Sequence, residues 1–182
     1  MWVWGKFHRL KLMNNIKQIL KKNCYDIFEI EPQFAIDTAL LSTKLHQLQK
    51  EFHPDNAINN ELSTNLASAH INNCYTTLKN PLNRSIALLE VNGYLLDLAK
   101  DTQLPLEFLG EQMELHELID EANGNISALE ELEQTINDKQ KQLLVSLSDT
   151  FINKDFQEAL NLTKQLGFYT RLLNSIADKI NE

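Results

Sequence analysis

The stretch TALLSTKLHQLQKEFHPD, residues 38–55, sets the architecture. Asp37-Thr38 supplies an N-cap, whose side-chain oxygen satisfies amides that the first helical turn leaves without acceptors. Leu40, Leu41, Leu45 and Leu48 follow at helical spacing, along one side of a helix reaching about Phe52. Pro54 stops it, because proline lacks an amide hydrogen and restricts the residue before it. A second helix is expected from about Glu61 to Leu78, with Leu62, Leu66, Ala69 and Asn73 in register. The pair forms a hairpin with His53-Pro54-Asp55 at its tip.

Outward from this hairpin the helical period continues. Pro81 opens a short helix that Asn92-Gly93 ends, and Pro105 opens another that lasts to Asn123-Gly124. Two long helices follow, about Ile126 to Thr150 and Asp155 to Ile180. In the last, Leu162, Leu166, Tyr169, Leu173, Ile176 and Ile180 alternate steps of four and three, a bundle-type seam. No period-two stretch interrupts, so the fold is read as all-α: a hairpin module, a connector and a C-terminal three-helix bundle from about residue 104. There is no internal repeat and no low-complexity segment.

Composition excludes several classes of function. The 182 residues carry 17 basic and 25 acidic side chains, a formal charge of −8, which argues against general nucleic-acid binding. No apolar run approaches the ~20 residues of a membrane span. Cys24 and Cys74 alone, fifty positions apart, offer neither a disulfide framework nor a CxxC zinc or redox site, and fit a reducing compartment. The charge is uneven: residues 1–55 have eight basic and six acidic side chains, residues 100–182 seven and sixteen. From Glu107 to Asp138 there are ten acids and no Lys or Arg. That asymmetry suggests two units with different partners, against the plainer reading of a solvated acidic surface. Residues 1–22 are basic and lack both a secretory core and transit-peptide composition. They are expected to be a loosely ordered extension or to reflect a start upstream of Met13. Trp2, Trp4 and Phe7 beside basic groups offer the alternative of a membrane-surface segment.

Two places carry chemistry. His53-Pro54-Asp55 is a rigid corner presenting a donor and a carboxylate, and a carboxylate there accepts a bidentate bond from a partner arginine. The plainer reading makes Asp55 a cap for the next segment. Farther on, Phe108, Leu115, Ile119 and Ala122 fall within about 60° on a helical wheel, a core stripe. Leu109, Met113, Glu117 and Glu121 recur every four residues on nearly the opposite side, with Glu114 alongside. From the residues alone they are either an apolar anchor bordered by charge, as interfaces use, or core covered by a flanking helix. An enzyme would draw on His53 with Asp55, or on Glu114, His116 and Glu117. No nucleophile–base set, glycine-rich phosphate loop or HExxH accompanies them. His46, His53 and His116 match no metal-ligand spacing.

The corner after a helix bearing Lys44, His46 and Lys50, with Tyr25-Asp26-Ile27-Phe28 upstream, resembles a J-domain, the module by which co-chaperones stimulate DnaK-type ATPases. Residues 24–28, 34–38, 48–55, 72–78, 80–84 and 88–96 are similar to the HscB family of iron–sulfur cluster co-chaperones, as is Phe108-Leu109-Gly110-Glu111-Gln112-Met113-Glu114-Leu115 with Asp120-Glu121. The resemblance spans about residues 23–182. It leaves the basic extension at 1–22 unmatched and implies a J-domain with connector at 23–95 and a scaffold-binding bundle at 96–182. It further implies a non-enzymatic adaptor without cofactor, in the bacterial cytoplasm rather than an organellar matrix. Its partners would be an HscA/DnaK-type ATPase, docked by His53, Pro54 and Asp55 with Lys44 and Lys50 steering, and an IscU-type scaffold. Leu109, Gly110, Met113, Glu114, Glu117, Glu121 and Phe168 would hold the scaffold. The alternative is a general J-domain co-chaperone presenting unfolded clients. Three departures stand out. Gly110 replaces a bulkier apolar residue, removing one anchor and weakening the helix by about 0.5–1 kcal/mol relative to Ala. Asn56 stands where lysine is frequent, and Ala87 where an aromatic is common. The N-terminal zinc-binding CxxC module of some eukaryotic relatives is missing.

Overall fold

Asparagine and aspartate side chains set where most of the helices begin. The computed structural model describes residues 15–52, 61–101 and 104–181. It contains α1 (residues 15–19), α2 (Cys24–Phe28), α3 (Thr38–Glu51), α4 (Glu61–Lys79) and α5 (Pro81–Val91). Then come α6 (Leu106–Glu121), α7 (Ile126–Ile152) and α8 (Phe156–Asn181). All regular structure among the described residues is helical. Asp37 accepts from the amides of Ala39 at 2.8 Å and Leu40 at 3.0 Å. Asn23, Asn80, Asn125 and Asp155 cap α2, α5, α7 and α8 in the same way. Gly93 and Gly124, with φ of 86° and 79°, take left-handed turns beyond α5 and α6 that other residues resist.

The chain forms two compact units that divide between Val91 and Asn92. In the first, Tyr25, Phe28, Leu41, Ile71, Leu78 and Leu89 are at most 1% exposed. Residues 15–19 join this core through Ile16 and Ile19, both buried. Residues 15–19 thus belong to a helix within the stretch expected to be loose; residues 1–14, including Trp2, Trp4 and Phe7, lie outside the described residues. The buried stripe of α4 is Thr64, Ala67, Ile71, Cys74 and Leu78, while Leu66 is 53% exposed. The register expected through Leu66 is thus rotated, because the side of α4 that carries Ile71 and Leu78, with the smaller Thr64, Ala67 and Cys74, faces the core.

Cys74 on that stripe forms a disulfide with Cys24 of α2, their Cα atoms 4.9 Å apart. Fifty residues separate them in sequence, and the packing of α2 on α4 closes the gap that had argued against a pairing. Arg84 on α5 is also buried; its guanidinium donates to the Leu78 carbonyl at 2.7 Å and stacks over Phe34 at 5.0 Å. Burial lowers its pKa, opposed by the nearby Tyr25 hydroxyl. Burial likewise holds the Tyr25 phenol above its ordinary range, so it stays neutral.

In the second unit α7 and α8 pack as a long hairpin around Leu129, Ile136, Leu147, Leu166 and Ile176, each at most 1% exposed. Gly167 lets the chain before α6 lie against α8, since a Cβ there would meet Leu98 Cδ1 at 3.0 Å. Helix α6 completes the bundle by burying Phe108, Leu115, Ile119 and Ala122, the stripe expected from the sequence.

Candidate functional site

Two surfaces, one on each unit, carry the residues singled out in the sequence. On the first unit, α3 is tied to α4 along its length. The Ser42 and Tyr75 hydroxyls lie 3.1 Å apart, Gln49 donates to Asn72 Oδ1 at 3.0 Å, and Ser68 donates to the Phe52 carbonyl at 2.8 Å. The hairpin is held up to its last described residue; His53, Pro54 and Asp55 themselves lie outside the described residues. Lys50 is exposed in the last turn of α3. Lys44 differs from expectation: it is half-buried, and its ammonium donates to the Glu29 carbonyl at 2.9 Å. Glu29 ends α2 in a left-handed conformation (φ 49°), and a cation at that negative helix end is favourable. The charge expected to steer a partner is thus first engaged in holding α2 to α3.

On the second unit, α6 starts at Pro105 with no side-chain cap and is positioned by contacts from beneath. The Phe108 ring meets Phe168 and Tyr169 edge-on, with centroids 5.4 Å and 5.5 Å apart. His116 packs edge-on against Phe168 at 5.6 Å. Such pairs contribute about 0.5–1.5 kcal/mol each beyond area burial. Tyr169 donates to Glu111 Oε1 at 2.7 Å, and Lys139 of α7 pairs with the same oxygen at 2.9 Å. Burial first, then the bond to Glu111 and its charge, keep the Tyr169 hydroxyl well above the usual phenol range and therefore protonated.

The opposite side of α6 is open. Leu109 and Met113 are 48% and 68% exposed, so no flanking helix among the described residues covers them. With Gln112, His116, Glu117, Asp120 and Glu121 they line one open depression along the helix. Gly110 and Glu114 are exposed on the same side. Among the described residues no Lys or Arg is within ion-pair distance of Glu114, Glu117, Asp120 or Glu121. The last turn carries no base, and Lys179 of α8 reaches only the Asn123 side chain beyond the cap. A face of this kind attracts a cationic surface and adheres through its apolar centre.

Phe168 requires a correction. It is 3% exposed and lies under Phe108 and His116, so it supports α6 from below and is not part of the open face. The sequence reading also missed Leu106, 82% exposed on the side of Leu109 and Met113. Its spacing of three and seven residues from them was the available signal. Among the described residues no three His, Cys, Asp or Glu side chains group to hold a metal ion, and no helix is long and apolar enough to cross a membrane.

Comparison with known proteins agrees with this layout. Residues 104–177 match the family described as the HSCB C-terminal oligomerisation domain, which takes in α6, α7 and most of α8. The chain is similar to the co-chaperone protein HscB homologue of Neisseria meningitidis serogroup A, 33% identical over 162 residues, 86% of this chain and 98% of the relative. For the homologue of Vibrio vulnificus strain YJ016 the figures are 35% over 161 residues, 85% and 94%. The crystal structure of human co-chaperone protein HscB superposes with a TM-score of 0.78 at 28% identity, covering 87% of this chain and 82% of the human one. Similarity of this extent runs through the helical hairpin as well as the bundle, and the chain belongs to the HscB family, the co-chaperones of iron–sulfur cluster assembly.

Proposed function

We propose that this co-chaperone is a non-enzymatic adaptor between an HscA/DnaK-type ATPase and an IscU-type iron–sulfur scaffold protein. The first unit docks the ATPase through His53, Pro54 and Asp55. Lys50 supplies positive potential nearby, and Lys44 does so more weakly. The outward side of α6, through Leu109, Met113, Glu114, Glu117 and Glu121, holds the scaffold. The observation that carries this reading is the α6 face itself: exposed Leu109 and Met113 beside carboxylates that have no basic partner among the described residues. Joining both sites in one chain raises the effective concentration of scaffold at the ATPase without requiring a new contact between them.

The test is single-turnover ATP hydrolysis by the ATPase with this chain, with and without purified scaffold. Synergy between chain and scaffold is expected. Asp55→Asn should reduce stimulation by at least about 30-fold, the effect of removing one partner of a buried charged contact, while leaving scaffold affinity unchanged. Stimulation without synergy, together with preferential binding of a denatured polypeptide, would replace this reading with a general client-presenting co-chaperone.

A further inference from the structure

Gly110 stands inside α6, where glycine weakens a helix, and nothing in the packing requires it. A Cβ built on Gly110 meets no atom within 4 Å, and its φ is not among the positive values that favour glycine. What the glycine does provide is bare backbone in the middle of the outward face. On the helical wheel Leu106, Gly110, Met113 and Glu117 fall within about 60° of one another, opposite the buried Phe108, Leu115 and Ile119. Leu106 lies one turn before Gly110 and Met113 one turn after, and Leu109 stands beside it. These three apolar side chains are 82%, 68% and 48% exposed. Side chains around a gap at this spacing make the kind of hole that receives a knob in helix packing.

We infer that Gly110 is the floor of a socket, walled by Leu106, Leu109 and Met113, that receives one apolar side chain of the scaffold-type partner, and that Leu106 contacts that partner. The inference rests on the reading of α6 as the scaffold-binding face. The chemistry of the occupant follows from the border. Glu114, Glu117, Asp120 and Glu121 flank the C-terminal side of the socket, with no Lys or Arg within ion-pair distance among the described residues. The matching surface is therefore an apolar knob among basic side chains. A bulky residue at position 110 would occupy the knob's place, so the glycine tunes which partner surface fits.

Titration calorimetry of the full chain against the purified scaffold protein tests this, with thermal unfolding of each variant as a check on the fold. The Cβ of Gly110→Met meets no atom within 4 Å and the substitution improves helix propensity, so its melting temperature should equal or exceed that of the wild type, while its affinity falls about tenfold. Leu106→Ala should weaken binding about five- to tenfold with no change in melting. Equal or tighter binding by Gly110→Met, or unchanged binding by Leu106→Ala, overturns the socket. If Met113→Ala and Glu117→Ala still weaken binding in that case, the α6 face remains the scaffold site. A wild-type chain that binds no scaffold, or binds it equally well without Met113 and Glu117, overturns both.

Discussion

Helices α3 and α6, the two proposed to serve partners, are held in place by opposite means. Helix α3 is capped by Asp37 and bonded to α4 by polar side chains on its flank, and the unit around it is cross-linked by Cys24–Cys74. Helix α6 has no side-chain cap and contains a glycine, and it is fixed by rings and one shared carboxylate beneath it. The element proposed to present a corner at its end is secured along its length. The element proposed to present a whole side is secured from behind, which leaves the acids of that side without a Lys or Arg partner among the described residues.

The contrast is most directly broken at Phe168. Phe168→Ala removes a buried ring from under Phe108 and His116 and should cost the second unit about 3–5 kcal/mol in urea unfolding. Scaffold affinity should fall with it, although Phe168 is not on the open face. A loss below about 1 kcal/mol would show that α6 is held by something other than the ring cluster.

The first unit answers to its cross-link. Reducing the disulfide, or replacing Cys24→Ala, opens a loop of 50 residues and should lower the first unit's stability by about 2–4 kcal/mol. The second unit's transition should not move. Denaturation with and without reductant reads this directly, and an unchanged first transition would remove the cross-link from the comparison.

Tyr169→Phe gives the smallest effect and sharpens the picture of α6. At neutral pH it should cost about 1 kcal/mol, because Glu111 keeps Lys139 as a partner. Its pH dependence is more telling. The folded hydroxyl titrates above its ordinary value of 10.0, so the stability it contributes is intact below about pH 10 and is lost as pH rises through the folded value. Wild type should therefore weaken more steeply than Tyr169→Phe in alkaline unfolding curves; equal slopes would mean that the phenol is not protected.

Much of this was readable from local chemistry. Asp37, Pro81, Gly93 and Gly124 act within a few residues of themselves, so the ends of their helices could be placed from sequence. The α6 core stripe was legible because its large apolar residues recur at one period. What escaped depends on partners distant along the chain. Leu66 looks like core until α4 is rotated to bury Thr64 and Cys74. The Cys24–Cys74 bond exists only because α2 lands on α4. Phe168 is assigned to a surface by family likeness, but only the ring cluster shows which side of α6 it touches. Leu106 escaped because the stripe was counted from Leu109 onward.

The end of α6 bears on how firmly the proposed scaffold partner would be held. Asp120 and Glu121 sit at the helix's negative pole without a base in the last turn, an arrangement that favours fraying unless a cation arrives from outside. Salt, which screens exposed charges over about 8 Å at physiological strength, relieves the repulsion between these acids and that pole while weakening the attraction of a cationic partner, so on the proposed reading one ionic control firms the last turn and favours release.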